Sequence, residues 1–132
     1  NIVSITRWSQ IKGTHLVGPG DFTHPKWIEE LQEKLEPAEQ GLFKLKPEYE
    51  QEITALVPER CRTTMRFMLT VEVSNIYKKN DRVRKVHSLV YSPSFEYAAQ
   101  FNKKLLDRGM NLASDGRPIL GMQTKEVLQT ML

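Results

Sequence analysis

Thr64-Met65-Arg66-Phe67-Met68-Leu69-Thr70-Val71-Glu72-Val73-Ser74 changes character with a period of two. In an extended strand Met65, Phe67, Leu69, Val71 and Val73 share one face, while Thr64, Arg66, Met68, Thr70, Glu72 and Ser74 share the other. Ile76-Tyr77 continues the run. Lys78 to Lys85 then places five basic residues in eight positions, and Val83 to Tyr91 reads as a returning strand. The stretch therefore predicts a hairpin with a basic turn. Glu72 needs no explanation if its face meets water. If that face lines the mouth of a barrel, its carboxylate needs a cation to offset desolvation.

On the N-terminal side, Ile5, Trp8 and Ile11 recur at helical spacing and Gly13 is placed as a C-terminal cap. His15 to Gly18 reads as a short strand. The loop Pro19-Gly20-Asp21-Phe22-Thr23-His24 follows, and Pro25 suits the first position of a helix. That helix puts Trp27, Ile28, Leu31 and Leu35 on one face and ends near Pro37. Phe43 and Leu45 suggest a short strand, and Tyr49 to Leu56 a helical turn or two. On the C-terminal side, Ser94 caps a helix with Ala98, Phe101 and Leu105 inward, and Gly109 ends it. Ser114 to Pro118 reads as a polar turn, Ile119-Leu120 as a short apolar stretch, and Thr124 as the cap of a last helix. The rhythm is α/β.

The 132 residues, 39% hydrophobic and 27% charged, suit one domain of ordinary globular composition. A net charge of +3 is too small to argue for nucleic acid without the local cluster at Lys78 to Lys85, for which a solvated turn is the ordinary alternative. Cys61 alone excludes an internal disulfide and a cysteine-based zinc finger. With one cysteine, a reduced, cytoplasmic setting is expected; no apolar run approaches the roughly 20 residues of a membrane span, so no membrane partner is expected. The start at Asn1 and the apolar-periodic end at Val127 to Leu132 read as cuts within elements. The expectation is a fragment that self-associates through uncovered strand edges.

Three segments carry chemistry. Asp21 and His24 follow a strand in a glycine-containing loop, the position where α/β proteins build sites; a turn capped by Asp21 is the alternative. Glu72 lies within an otherwise apolar strand. His87, in Val86-His87-Ser88-Leu89-Val90, is separated from it by a hairpin turn, which brings near-facing positions together. Carboxylates and imidazoles are ligands suited to zinc, manganese or iron. His15 sits at the entering end of its strand and stays outside the set, and Cys61 reads as structural. No phosphate-binding glycine loop or nucleophile elbow is present.

The runs Gly18-Pro19-Gly20-Asp21-Phe22-Thr23-His24-Pro25, Val71 to Lys79, Val83 to His87 and Ser114 to Gly121, in that order, resemble the PHP (polymerase and histidinol phosphatase) domain of endonuclease Q and its helicase-related bacterial relatives. The resemblance implies an incomplete distorted (β/α)7 barrel, with residues 1–132 as one partial domain. It implies a metal-dependent phosphoesterase, a DNA-repair endonuclease that hydrolyses phosphodiester bonds next to deaminated bases, with zinc, manganese or magnesium as cofactor. It places Asp21, His24, Glu72 and His87 on metal-ligand motifs, with Asp21 and Glu72 as catalytic carboxylates. The superfamily usually sets that Asp and His side by side, whereas Phe22 and Thr23 intervene here, which leaves Asp21 either as a ligand or as a residue holding one. The family's opening His-x-His and closing Asp-x-His are absent from this sequence. Arg82, Arg84, Lys85 and Arg117 are the expected contacts to DNA. A phosphoesterase for small substrates and a catalytically silent DNA-binding or scaffold module are the alternatives.

Overall fold

The computed structural model describes residues 1–114 and 116–132; Asp115, within the polar turn expected at Ser114 to Pro118, lies outside the described residues. In chain order the elements are α1 (Ile2–Ile11), β1 (Leu16–Val17), α2 (Pro25–Lys34), β2 (Leu35–Pro37), β3 (Phe43–Leu45), α3 (Pro47–Thr54), a 3-10 turn (Glu59–Cys61), β4 (Arg66–Phe67), β5 (Leu69–Lys79), β6 (Arg82–Ser92), α4 (Phe95–Asp107), β7 (Ile119–Leu120) and α5 (Thr124–Met131). The class is mixed α/β, as the sequence predicts. The strands do not close into a barrel among the described residues. Among the described residues they form two open sheets, ordered β1-β4-β3-β2 and β6-β5-β7.

The long alternating run is divided between those sheets. Arg66 and Phe67 pair in parallel with Leu16 and Val17, and the Met68 N–H donates to the Val17 carbonyl at 3.0 Å. From Leu69 onward the chain pairs with β6 instead. Met68 is thus the point where one strand leaves the first sheet and begins the second. The hairpin β5–β6 is in continuous register from Leu69↔Ser92 to Lys79↔Arg82. Its two-residue turn, Asn80-Asp81, has φ of 51° and 57°, the left-handed pair that matches the twist of the flanking strands. The helix α4 then crosses back and delivers β7 parallel to β5 at Ser74↔Ile119 and Asn75↔Leu120.

The core lies between the sheets and the helices. Phe67, Leu69, Val71 and Val73 bury completely against Phe22, Leu31, Leu105 and Leu120. α2 starts at Pro25 and buries Leu31, with Leu35 beginning β2 rather than extending the helix, so the helix ends three residues before Pro37. α4 is capped by the Ser94 hydroxyl, which accepts from the Tyr97 N–H, and it buries Ala98, Phe101 and Leu105 as expected. α1 turns a different face inward: Ile2, Thr6 and Gln10 are buried, while Trp8 is 54% exposed. Thr6 donates to the Ile2 carbonyl and Gln10 to the Thr63 carbonyl, so the polar members of this stripe are satisfied. The cap of α5 is Gln123, paired in a capping box with Glu126, and Thr124 is the first helical residue. No helix among the described residues is long and apolar enough to cross a membrane.

Candidate active site

Residues facing each other across an antiparallel pair project to the same side, so the register sorts the hairpin into two faces. Thr70, Glu72, Ser74 and Ile76 share a side with Tyr91, Leu89, His87 and Lys85. Glu72 is opposite Leu89, and His87 is opposite Ser74, which puts the carboxylate and the imidazole on a diagonal. Both side chains are long enough to close it: Glu72 Oε1 lies 3.2 Å from His87 Nδ1. Leu89, at 63% exposed, Tyr91, at 52%, and Ile119, at 65%, leave an open apolar surround on this side.

A third residue joins them. Arg117, also expected as a contact to DNA, places its Nη1 3.2 Å from Glu72 Oε1, 2.8 Å from His87 Nδ1 and 3.3 Å from His87 Nε2. His87 Nδ1 thus lies within reach of both a donor and an acceptor, and the ring's tautomer decides whether it accepts from the guanidinium or donates to the Glu72 carboxylate. The guanidinium bridges the carboxylate and the ring. The Arg117 backbone is fixed by its neighbours, since the Pro118 carbonyl accepts from the Ser74 N–H at 3.0 Å and Ile119 is in register with Ser74.

Asp21 and His24 are held on the adjoining loop. The Gly20 N–H donates to Thr70 Oγ1 at 3.0 Å and the Phe22 N–H to the Thr70 carbonyl at 3.2 Å. Thr70 is two positions from Glu72 on the same face, so the loop is fastened directly beside the glutamate. Trp27 Nε1 donates to the Gly20 carbonyl, and Asn102 Nδ2 to the Phe22 carbonyl. Phe22 is fully buried and meets Phe101 edge to face, with centroids 6.0 Å apart. Gly20 (φ 80°) and Asp21 (φ 52°) are consecutive left-handed residues, a conformation aspartate tolerates and one that is concentrated at functional sites. Asp21 and His24 line a cleft of about 310 Å³ with Pro19, Thr23, Trp27, Leu112 and Gly116, the residue before Arg117.

The expected ligands therefore come as two pairs, Asp21 with His24 in the cleft and Glu72 with His87 on the sheet. Among the described residues no three His, Cys, Asp or Glu side chains come together as a metal-holding group. Glu72 and His87 fit a divalent ion in donor chemistry: an oxygen and a nitrogen face one point, and a cation already occupies it. They supply two of the roughly four ligands such an ion takes. His15 stays apart, its Nδ1 2.8 Å from the Thr63 hydroxyl. Ser88, beside His87, donates to Asn75 Oδ1, and the fully buried Asn75 donates in turn to the Met122 carbonyl. That buried polar pair supports the histidine strand, and an asparagine in a run of strand residues was its only signal in the sequence.

Of the basic residues expected at nucleic acid, Lys85 shares the Glu72 face, whereas Arg82 and Arg84 alternate to the other face with Lys79 and Tyr77. β7 covers β5 only at Ser74 and Asn75, so residues 76–79 and 82–85 extend past it as a two-stranded ribbon with Arg82, Arg84 and Lys85 exposed.

No protein-family model matches this sequence, and no curated protein matches it. Two solved structures are similar. The lesion-specific endonuclease PfuEndoQ from Pyrococcus furiosus is 25% identical, with a TM-score of 0.66 over 97% of this chain and 26% of that one. An endonuclease Q in complex with a 27-mer duplex substrate carrying an abasic lesion at the active site is 25% identical, with a TM-score of 0.67 over 98% of this chain and 27% of that one. The chain thus spans about a quarter of the length of these neighbours.

Proposed function

We propose that this chain is part of a PHP-type, metal-dependent DNA-repair endonuclease that hydrolyses phosphodiester bonds next to deaminated bases. The observation that carries the reading is the convergence of Glu72 and His87 on one cation position, in a chain that resembles endonuclease Q along nearly its whole length. Glu72 and His87 would hold the ion, and Asp21 and His24 lie on the loop fastened to Thr70 of the same strand. A divalent cation there would neutralise phosphate charge as a Lewis acid. The Thr70 contacts keep the Asp21 loop against the strand that carries Glu72. The ligands still missing from the count would come from sequence outside these 132 residues, which is why the chain is read as a partial domain.

The ribbon supplies the nucleic-acid contact. A two-stranded β-ribbon fits the major groove of a duplex, where phosphates stand on both walls. Basic residues on both faces, Arg82 and Arg84 on one and Lys85 on the other, suit that seat.

A fluorescent duplex containing uracil, hypoxanthine or an abasic site tests the reading. The 132-residue chain should bind it at low salt without nicking, because groups that act as one unit fail together. A longer chain containing these residues should nick beside the lesion when zinc, manganese or magnesium is added. Failure of that longer chain to nick, with duplex binding intact, would favour the catalytically silent binding module; hydrolysis of small phosphate esters instead would favour the small-substrate phosphoesterase.

A further inference from the structure

We propose that Arg117 is a displaceable internal cation: its guanidinium holds Glu72 and His87 in register for a divalent ion and competes with that ion for both donors. This rests on the metal reading of Glu72 and His87 given above. Three observations carry it. Arg117 Nη1 is 3.2 Å from the Glu72 oxygen and 2.8 Å from His87 Nδ1, so it occupies the point on which the two donors converge. The same Nη1 is 3.3 Å from Nε2, so the guanidinium lies against the ring edge that an ion would have to reach. The Arg117 side chain is 45% exposed, whereas its backbone is fastened through Pro118 and Ile119 to Ser74. The side chain can therefore turn outward without moving β7.

A guanidinium and a divalent ion cannot share this position, since like charges a few ångströms apart repel. Without the ion, Arg117 keeps a carboxylate and an imidazole from separating on an otherwise open face. With the ion, it must leave. The cost of removing a part-exposed ion pair is about 1 kcal/mol, which corresponds to about a fivefold change in ion affinity.

Calorimetric titration of the chain with zinc ions tests this directly. Arg117→Gln should bind zinc about fivefold more tightly than the unaltered chain, and Arg117→Gln/Glu72→Gln should lose that binding. Arg117→Lys, which keeps the charge but not the forked geometry, should fall between the two and serves if the glutamine variant does not fold by circular dichroism. Zinc binding that is equal or weaker in Arg117→Gln overturns the proposal and leaves the metal reading standing. No zinc heat in any of the chains overturns both.

Discussion

Replacing Gly18 by alanine should damage the fold at the seam between the two candidate ligand pairs. A Cβ at Gly18 would lie 2.7 Å from both Thr70 Cγ2 and Thr70 Oγ1. Ordinary contact starts near 3.4 Å, so one side must retreat by roughly 0.7 Å in a core that packs as densely as a crystal. Thr70 cannot rotate away cheaply. It is β-branched and nearly buried, and its hydroxyl accepts from the Gly20 N–H. Overpacking of this kind costs about 1–3 kcal/mol. For a chain of this size that is a drop of about 3–5 °C in Tm per kcal/mol. Urea unfolding of Gly18→Ala, Thr70→Ala and the double variant measures it. Thr70→Ala alone gives up one hydrogen bond, about 1 kcal/mol. In the double variant the clash is gone, so the two effects should fall short of adding by about 1 kcal/mol or more. A Gly18→Ala chain within about 0.5 kcal/mol of the unaltered one, or strictly additive losses, would refute the close approach of this loop to β5.

Asn75→Ala should destabilise by about 1–3 kcal/mol, because it strands the Met122 carbonyl and the Ser88 hydroxyl that the fully buried amide satisfies; denaturant midpoints at unchanged m-value check it. Asp81→Gly should raise the Tm slightly, since glycine suits the φ of 57° at the second turn position, and a fall on thermal scanning would contradict the turn geometry. The forked hydrogen bonds from Arg66 to Glu39, 2.5 and 2.8 Å long, lower the Glu39 carboxyl from 4.5 to about 2. A depressed folded-state value means stability present at neutral pH and lost as pH falls from about 4.5 toward 2. Glu39→Gln should therefore flatten the acid limb of a Tm-against-pH curve in that window, and an unchanged limb would show that the pair contributes nothing.

Period two in the sequence reports which residues share a face, and it made Glu72, the hairpin and the basic turn legible. It carries no information about which strand lies alongside. The alternation runs through Met68 without interruption, yet the hydrogen bonds there pass from β1 to β6, and so a single expected strand became two in different sheets. The Ser94 cap and the inward face of α4 were readable because both are local. The inward face of α1 was not: its apolar spacing pointed to Trp8, while long-range packing buried Thr6 and Gln10, with Gln10 finding a partner at Thr63. The placement of Arg117 beside Glu72 and His87 was not readable for the same reason. A basic residue in a polar turn reads as solvent- or phosphate-facing, and only the parallel pairing of β7 with Ser74 brings it to Glu72 and His87.

The tight turn at Asn80-Asp81 also orders events in time. Closing a two-residue loop sacrifices far less chain entropy than joining Leu16 to Arg66 or Ser74 to Ile119, and hairpins form in about 1–10 μs. The β5–β6 pairing can therefore nucleate on its own sequence, with Glu72 and His87 meeting while the rest of the chain is still unfolded. Parallel docking of β7, and Arg117 with it, has to wait for α4 to pack. Transition-state measurements should accordingly find Val71 contacts already made and Leu120 contacts still absent. The two donors come together first, and the guanidinium between them arrives last.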